Sequence, residues 1–286
     1  MADALPVCHL NGTLLPLNEA CISPLDRGFL FGDGVYEVLA AHRGIPHRLA
    51  SHLARLEQSL AKLRIRNPLT QAEWTGVVQG LISANGSGDM YIYLQVSRGA
   101  DHGRSHAPLP DIAPTVFGFC APLAPPGDAT LAEGIRCITT ADTRWAHCEI
   151  KSVALLANVL LRQQAIDAGT AEAILLRDGH LTEAAAASVH VVIDGEIRTP
   201  PRTSRLLPGT TRILIEELAG THGIPCRSVP VSEAELRAAD EIWVGASGYG
   251  ILPVTRLDDR PVGSGQPGPL WKRMQALIEA TWNTHG

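Results

Sequence analysis

The 286-residue chain has no block of basic residues, no closely paired cysteines and no apolar run of membrane-spanning length. Each absence removes a class of function. A formal net charge of −5 without a basic cluster argues against a surface for nucleic acid or anionic lipid. Cys8, Cys21, Cys120, Cys137, Cys148 and Cys226 show no C-x-x-C spacing, so neither a disulfide framework nor a metal site is indicated, and mostly buried, reduced thiols are expected. The opening residues, MADALPVCHLNG, lack the basic-then-apolar order of a secretory leader, and no internal repeat is visible. With 45% hydrophobic and 19% charged residues, the chain is expected to be a folded cytoplasmic protein of one large or two modest domains with a small-molecule partner.

What is present falls into ordered segments. Asn11-Gly12 between two short alternating runs predicts a hairpin over Val7 to Leu15. Ser23 to Val38 carries Gly28, Gly32 and Gly34 just ahead of a strand, which predicts a sharp turn into a sheet. Leu49, Leu53, Leu56, Leu60 and Leu63 form one stripe of a helix from about His47 to Arg64, with Arg55 off that stripe. Thr70 and Glu73 match a capping box at the start of a second helix reaching Ala84. Strands are predicted over Met90 to Ser97 and Pro114 to Cys120. The intervening loop, Arg98 to Asp111, carries His102, Arg104 and His106, and loops of that length tend to be functional.

The proline-rich stretch Ala121 to Gly127 is the natural linker, which gives an N-terminal domain over 1–120, a linker over 121–134 and a larger C-terminal domain over 135–286. The C-terminal part is expected to contain strands near Ile135 to Thr140, Ala173 to Arg177 and Val189 to Ile193. A helix opens at Thr210-Thr211, Ser232 and Glu235 form a second capping box, and Glu241 to Ala246 reads as a buried strand. A last amphipathic helix runs from about Leu270 to Trp282.

Lys151 stands out in DTRWAHCEIKSVALLANVLL, one residue ahead of the apolar run Val153 to Leu156. Burial of that run at a helix start would strip water from the ammonium and favour a neutral amine able to form a Schiff base. Taken alone, a solvated lysine is the commoner case. Phosphate could be held by backbone N–H groups and hydroxyls at Gly209-Thr210-Thr211, by Ser247-Gly248 at a strand end, or by Arg55. Each of these also has an ordinary reading as a cap, a turn or a solvated charge. Glu183, followed by four alanines, is either an exposed carboxylate or a buried partner for a cationic ring. Arg104 and His106 could together grip a carboxylate. Tyr36 reads as a half-buried strand residue, Trp145, His147 and Cys148 as packing around the lysine, and His190 as a strand histidine with a satisfied ring.

Arg27-Gly-Phe-Leu-Phe-Gly-Asp-Gly-Val-Tyr36-Glu37-Val, then Arg55, Glu149-Ile150-Lys151-Ser152, Thr182-Glu183 and Gly209-Thr210-Thr211-Arg212 follow one another along nearly the whole chain. In this set and order the chain resembles the fold-type IV pyridoxal-phosphate enzymes, and among them most nearly the D-amino-acid aminotransferases. The resemblance implies an α+β / α/β two-domain fold and ping-pong transamination between D-amino acids, of the D-alanine and D-glutamate type, and 2-oxo acids. It implies pyridoxal 5′-phosphate held covalently by Lys151, with Glu183 at the pyridine nitrogen and Leu207 under the ring. Arg55, Thr210, Thr211 and Ser247 would hold the phosphate. Tyr36, Arg104 and His106 would bind the substrate carboxylate, the last two reaching in from the neighbouring subunit of a homodimer. Same-fold alternatives are an aminodeoxychorismate lyase and a branched-chain or (R)-amine transaminase, against which the Arg-x-His spacing counts. A non-catalytic pyridoxal-phosphate-binding protein is the alternative from another class. One segment departs from the family pattern: Ala184 to Ala187 and Ser188 replace the usual glycine, serines and asparagine, which bears on rate, substrate range and the preference for one enantiomer.

Overall fold

The computed structural model describes residues 3–283 and divides into two compact units. One comprises residues through Ala124 together with Ile150–Leu155, and the other comprises Pro125–Glu149 and residues from Leu156 onward.

The first unit is built on a six-stranded antiparallel sheet. Strands β1 (Val7–Leu10) and β2 (Thr13–Pro16) form the expected hairpin, with Asn11 at φ 48° and Gly12 at φ 94° in the left-handed region that this two-residue turn demands. A short helix, α1 (Arg27–Phe31), precedes β3 (Gly34–His42) and β4 (Ile45–Pro46). Helices α2 (Leu49–Leu63) and α3 (Gln71–Ala84) follow, and β5 (Met90–Ser97) and β6 (Thr115–Pro122) complete a sheet of order β2-β1-β6-β5-β3-β4. Both bonds of the Thr70/Glu73 capping box form at the start of α3. The leucine stripe of α2 and the apolar side of α3, with Trp74, Val78 and Leu81, bury against alternate residues of the sheet, including Leu39, Ile92 and Leu94.

All three glycines near β3 have specific roles, and a Cβ on Gly28 would meet Ser97 Cβ at 2.8 Å. Gly32 caps α1 at φ 66° and lies where an added Cβ would meet Ala154 at 3.1 Å, while a Cβ on Gly34 would meet the Val96 carbonyl oxygen at 2.8 Å. The sharp turn predicted there is thus a five-residue helix capped by Asp26 at one end and Gly32 at the other.

The segment with Lys151 groups with this first unit, where the sequence pattern placed it in the C-terminal domain. The reason is edge pairing. The N–H of Tyr36 donates to the Lys151 carbonyl (2.9 Å), that of Val153 donates to Gly34 (3.0 Å), and Val35 and Ser152 form an isolated bridge. These bonds occupy an edge of β3 that β4 pairs only at Ala41 and His42.

The second unit begins with α4 (Asp128–Glu133), a helix inside the expected linker, and continues with β7 (Ile135–Ala141) and α5 (Leu156–Asp167). Strands β8 (Glu172–Arg177), β9 (His180–Ala184), β10 (Ser188–Ile193) and β11 (Glu196–Thr199) precede α6 (Thr210–Thr221). Then come β12 (Cys226–Ser228), α7 (Glu233–Ala238), β13 (Glu241–Ala246), β14 (Gly250–Leu257), β15 (Arg260–Pro261) and α8 (Pro269–Asn283). The sheet is mixed, with path β12-β11-β10-β13-β14-β7-β8-β9 and β15 paired to β14. Along β13, Ile242 and Val244 enter one core while Trp243 enters another with α6 and α8, so both faces are covered and the strand reads as one apolar run. Among the described residues, no helix is long and apolar enough to cross a membrane.

Candidate functional site

In the first unit, β3 and α2 bring together three of the expected residues, Tyr36, Arg55 and Lys151. Lys151 is half-buried, its Nζ is 4.1 Å from the centroid of the Tyr36 ring, and its backbone N–H donates to Ser59 Oγ on α2 (3.3 Å). The expected enclosure by Val153 to Leu156 is not what positions it. That run is irregular, α5 starts only at Leu156, and Leu156 is 72% exposed. The edge bonds to β3 fix the lysine backbone instead, and Tyr36 faces its ammonium.

Arg55, one turn of α2 before Ser59, is 6% exposed rather than solvated, although it lies off the leucine stripe. Its partner is Glu37 of β3, which is fully buried. Arg55 Nε donates to Oε1 (2.7 Å) and Nη2 to Oε2 (2.8 Å), and His52 Nδ1 lies 2.7 Å from Oε2. Burial pushes the Glu37 carboxyl up, but the Arg55 charge and the bonds from Arg55 and His52 outweigh it and bring it down to about 2. His52 is pushed below the ordinary histidine range by burial, with Glu37 opposing and the charges of Arg55 and Lys151 adding to the effect. Glu37 and His52 were not singled out from the sequence; a Glu one residue from Tyr36 in a strand carries no helical or ligand spacing that would announce its partner.

Arg104 and His106 are exposed in the loop between β5 and β6. Within the chain they gather on α1: the Arg104 guanidinium is 5.3 Å from the centroid of Phe31 and the His106 ring centroid 5.7 Å from it.

The second unit holds the remaining candidates. Glu183 lies on β9, a strand not foreseen, and is buried. Arg144 Nη1 donates to its Oε1 and the backbone N–H of Leu207 to its Oε2 (3.1 Å). Leu207 therefore contributes a backbone donor as well as a side chain. Arg144, absent from the expected set, is gripped from behind by Asp142, with Nε and Nη2 each 2.9 Å from a carboxylate oxygen, and Thr182 Oγ1 and Arg177 Nη2 add 2.9 and 3.0 Å bonds to the same carboxylate. Burial pushes the Glu183 carboxyl above the ordinary range against the opposing Arg144 charge. Burial also works against the Arg144 charge, and the bonds to Asp142 and Glu183 more than restore it.

Thr210 and Thr211 are buried in the first turn of α6, and Thr210 Oγ1 lies 3.1 Å from Ser247 Oγ. The N-cap is Gly209, which supplies no side-chain acceptor, so the first-turn N–H groups of a twelve-residue helix are not capped by a side chain. Hydroxyls and helix-terminal N–H groups of this kind fit a phosphate, and a buried carboxylate with one face held by Arg144 fits a protonated pyridine nitrogen. The residues present therefore suit pyridoxal 5′-phosphate.

Trp145 is 45% exposed and packs edge-on against the exposed His147, while Cys148 is buried and its N–H donates to Ser204. The reading of His190 as a strand histidine with a satisfied ring needs correction. His190 is fully buried on β10 and neither ring nitrogen has a hydrogen-bond partner among the described residues. Three of the four alanines after Glu183 are core residues, Ala184, Ala185 and Ala187 being 1%, 3% and 8% exposed while Ala186 is exposed, and Ser188 Oγ donates to the Gly245 carbonyl (3.1 Å).

Comparison with known proteins agrees with this geometry. Residues 34–257 match the family model for amino-transferase class IV. The chain is 37% identical to a D-alanine aminotransferase of Bacillus licheniformis, covering 94% of each, and 33% identical to one of Staphylococcus haemolyticus, covering 93% of this chain and 94% of that one. Among solved structures it resembles the branched-chain amino acid aminotransferase of Escherichia coli (TM-score 0.91, 27% identity, 96% and 94% covered). It also resembles a T.th. branched-chain amino acid aminotransferase solved with pyridoxamine 5′-phosphate (TM-score 0.91, 26% identity, 98% and 95% covered).

Proposed function

Because the chain belongs to the class IV aminotransferases, the fold-type IV pyridoxal-phosphate enzymes, we propose that it moves amino groups from D-amino acids, of the D-alanine and D-glutamate type, to 2-oxo acids. The observation that carries this reading is the Arg104-x-His106 pair in a chain that matches D-alanine aminotransferases over nearly its whole length. The branched-chain enzymes share the fold but stand lower in identity.

When bound, pyridoxal 5′-phosphate supplies an aldehyde for an amine and a ring that accepts electrons. Lys151 Nζ would hold the cofactor covalently and, as a free amine, would carry the proton from the substrate α-carbon to the cofactor's aldehyde carbon. Tyr36, at 4.1 Å, orients that nitrogen. Glu183 keeps a proton at the pyridine nitrogen, with Arg144 and the Leu207 N–H fixing its two oxygens. Arg55, Thr210, Thr211 and Ser247 bind the phosphate, and the Glu37 pair fixes the Arg55 fork. Arg104 and His106 bind the substrate carboxylate together with Tyr36.

A homodimer is part of the same proposal, with Arg104 and His106 serving the neighbouring subunit. Helix α5 buries Leu161 and Ala165 inside its own unit yet exposes Leu156, Val159, Leu160 and Ile166 by 72%, 60%, 57% and 54%, an apolar face suited to a second copy. The free cysteines suit a reducing, cytoplasmic location.

Addition of D-alanine to the holoprotein should change the cofactor absorbance as the amino group is transferred, and L-leucine should leave it unchanged. A change with L-leucine alone would move the assignment to the branched-chain class. Bound cofactor that responds to no amine would indicate a protein without transaminase activity.

A further inference from the structure

We propose that Arg27 is the positioning residue for the carboxylate-binding pair Arg104 and His106, an inference that rests on the reading of that pair given above. Arg27 is 3% exposed in the first turn of α1. Its surroundings make it a fixed point. Asp26 caps α1 by accepting the Gly28 N–H at Oδ1 (2.8 Å), and its Oδ2 accepts hydroxyls from Ser97 of β5 (2.9 Å) and Thr115 of β6 (2.6 Å). The backbone N–H of Arg27 donates to Gly99 (2.9 Å) at the start of the loop that carries the pair.

From this base the guanidinium reaches in two directions. Nε donates to Asp33 Oδ2 (2.9 Å), an aspartate also clasped by Arg98 through Nε and Nη2 (2.8 and 2.9 Å). On the other side Nη1 donates to the carbonyl of Ser105 (2.6 Å) and approaches Asp101 Oδ2 (3.4 Å), and Nη2 donates to the carbonyl of His106 (3.0 Å). Holding those two carbonyls fixes the peptide planes on either side of His106 and sets the direction in which its side chain leaves the backbone, while Arg104, two residues earlier, is tied to α1 through Phe31.

Phe31, four residues along α1 from Arg27, completes the device. Its ring has the Arg27 guanidinium at 4.7 Å, that of Arg104 at 5.3 Å and the His106 ring at 5.7 Å, all measured to the centroid. Arg104, Ser105 and His106 are otherwise exposed. Without the anchor, substrate binding would have to order the loop as well as the two side chains, and that cost appears in affinity rather than in the chemical step. Lysine cannot replace the fork, because a single ammonium does not span two carbonyls and two carboxylates in fixed directions.

The test is a mutant cycle on the holoenzyme with Arg27→Lys, Arg104→Ala, Arg104→Ala combined with His106→Ala, and Arg27→Lys added to each. It reads KM and kcat for D-alanine, the inhibition constant of propionate as a carboxylate probe, and cofactor absorbance. Arg27→Lys should raise KM and the propionate constant by about tenfold, with kcat within about twofold and cofactor retained. With Arg104 and His106 both replaced by Ala the same change should add little, because both groups it positions are already gone. A purely structural defect would instead lower kcat and cofactor content in both backgrounds. An unchanged KM in Arg27→Lys, or an equal rise with and without the Arg104/His106 pair, would overturn the proposal while leaving the role of the pair intact. No effect of Arg104→Ala on KM would remove the reading of the pair, and the proposal with it. Should Arg27→Lys not fold, Asp101→Asn loosens the same anchor from the loop side and is read in the same cycle.

Discussion

Glu37 and Arg55 form a buried two-point ion pair, Nε to Oε1 at 2.7 Å and Nη2 to Oε2 at 2.8 Å, with the glutamate fully inaccessible to solvent. Removing the negative partner leaves a guanidinium in a poorly hydrated place. Glu37→Gln should therefore cost roughly 3 kcal/mol, read from the denaturant midpoint, and should weaken retention of the phosphate-bearing cofactor. The pair also carries a pH signature. With its folded value near 2 against an ordinary 4.5, Glu37 contributes stability that is complete above 4.5 and is lost as pH falls toward 2. The variant should lose that part of the acid dependence, and an unchanged acid profile would contradict the pairing.

His190 makes a second prediction of the same sign from a different cause. Burial, with the nearby Arg212 charge adding to it, brings its ring down to about 3 from 6.5, and neither nitrogen is hydrogen-bonded among the described residues. A neutral histidine in the folded chain must compete with a protonated one in the unfolded chain, so stability falls as pH drops from 6.5 toward 3, at about 1.4 kcal/mol per pH unit within that window. His190→Leu should be at least as stable as the parent at pH 7 and increasingly more stable toward pH 4. Thermal unfolding across that range checks it, and a variant that loses stability equally at every pH would show that the ring has a partner.

The third prediction concerns Arg144. Removing its charge from Glu183 Oε1 leaves burial, with the Asp142 charge adding to it, opposed by the Leu207 N–H bond alone, so the protonation of a carboxyl already pushed upward moves to still higher pH. Arg144→Met should lower kcat by about tenfold or more and shift the acid limb of the kcat profile upward. A reduced kcat with an unshifted limb would mean that Arg144 acts on something other than the carboxylate.

Much of the fold could be read from short-range pattern. The stripe of α2, the capping boxes of α3 and α7 and the Asn11-Gly12 hairpin are local devices whose partners lie within a few residues, and all form as expected. What escaped the sequence depends on distant pairing. Glu183 sits on β9, where Thr182 and the alanines give no clean alternation, and its partner Arg144 is 39 residues away. Glu37 and Arg55 are brought together by β3 packing on α2, and Arg55 looked solvated because it lies off the stripe defined by leucines. For Lys151 the local reason offered by the sequence does not hold: edge bonds to β3 place its backbone, and the following apolar run does not enclose it.

The most direct test of the account is borohydride reduction of the holoprotein followed by peptide mapping. The amine at position 151 should carry the reduced cofactor, and replacement of Lys151 by Ala should abolish the label. The other lysines, Lys62 and Lys272, provide the internal control. Label on either of them, or on none, would contradict the assignment of Lys151 and the site built around it.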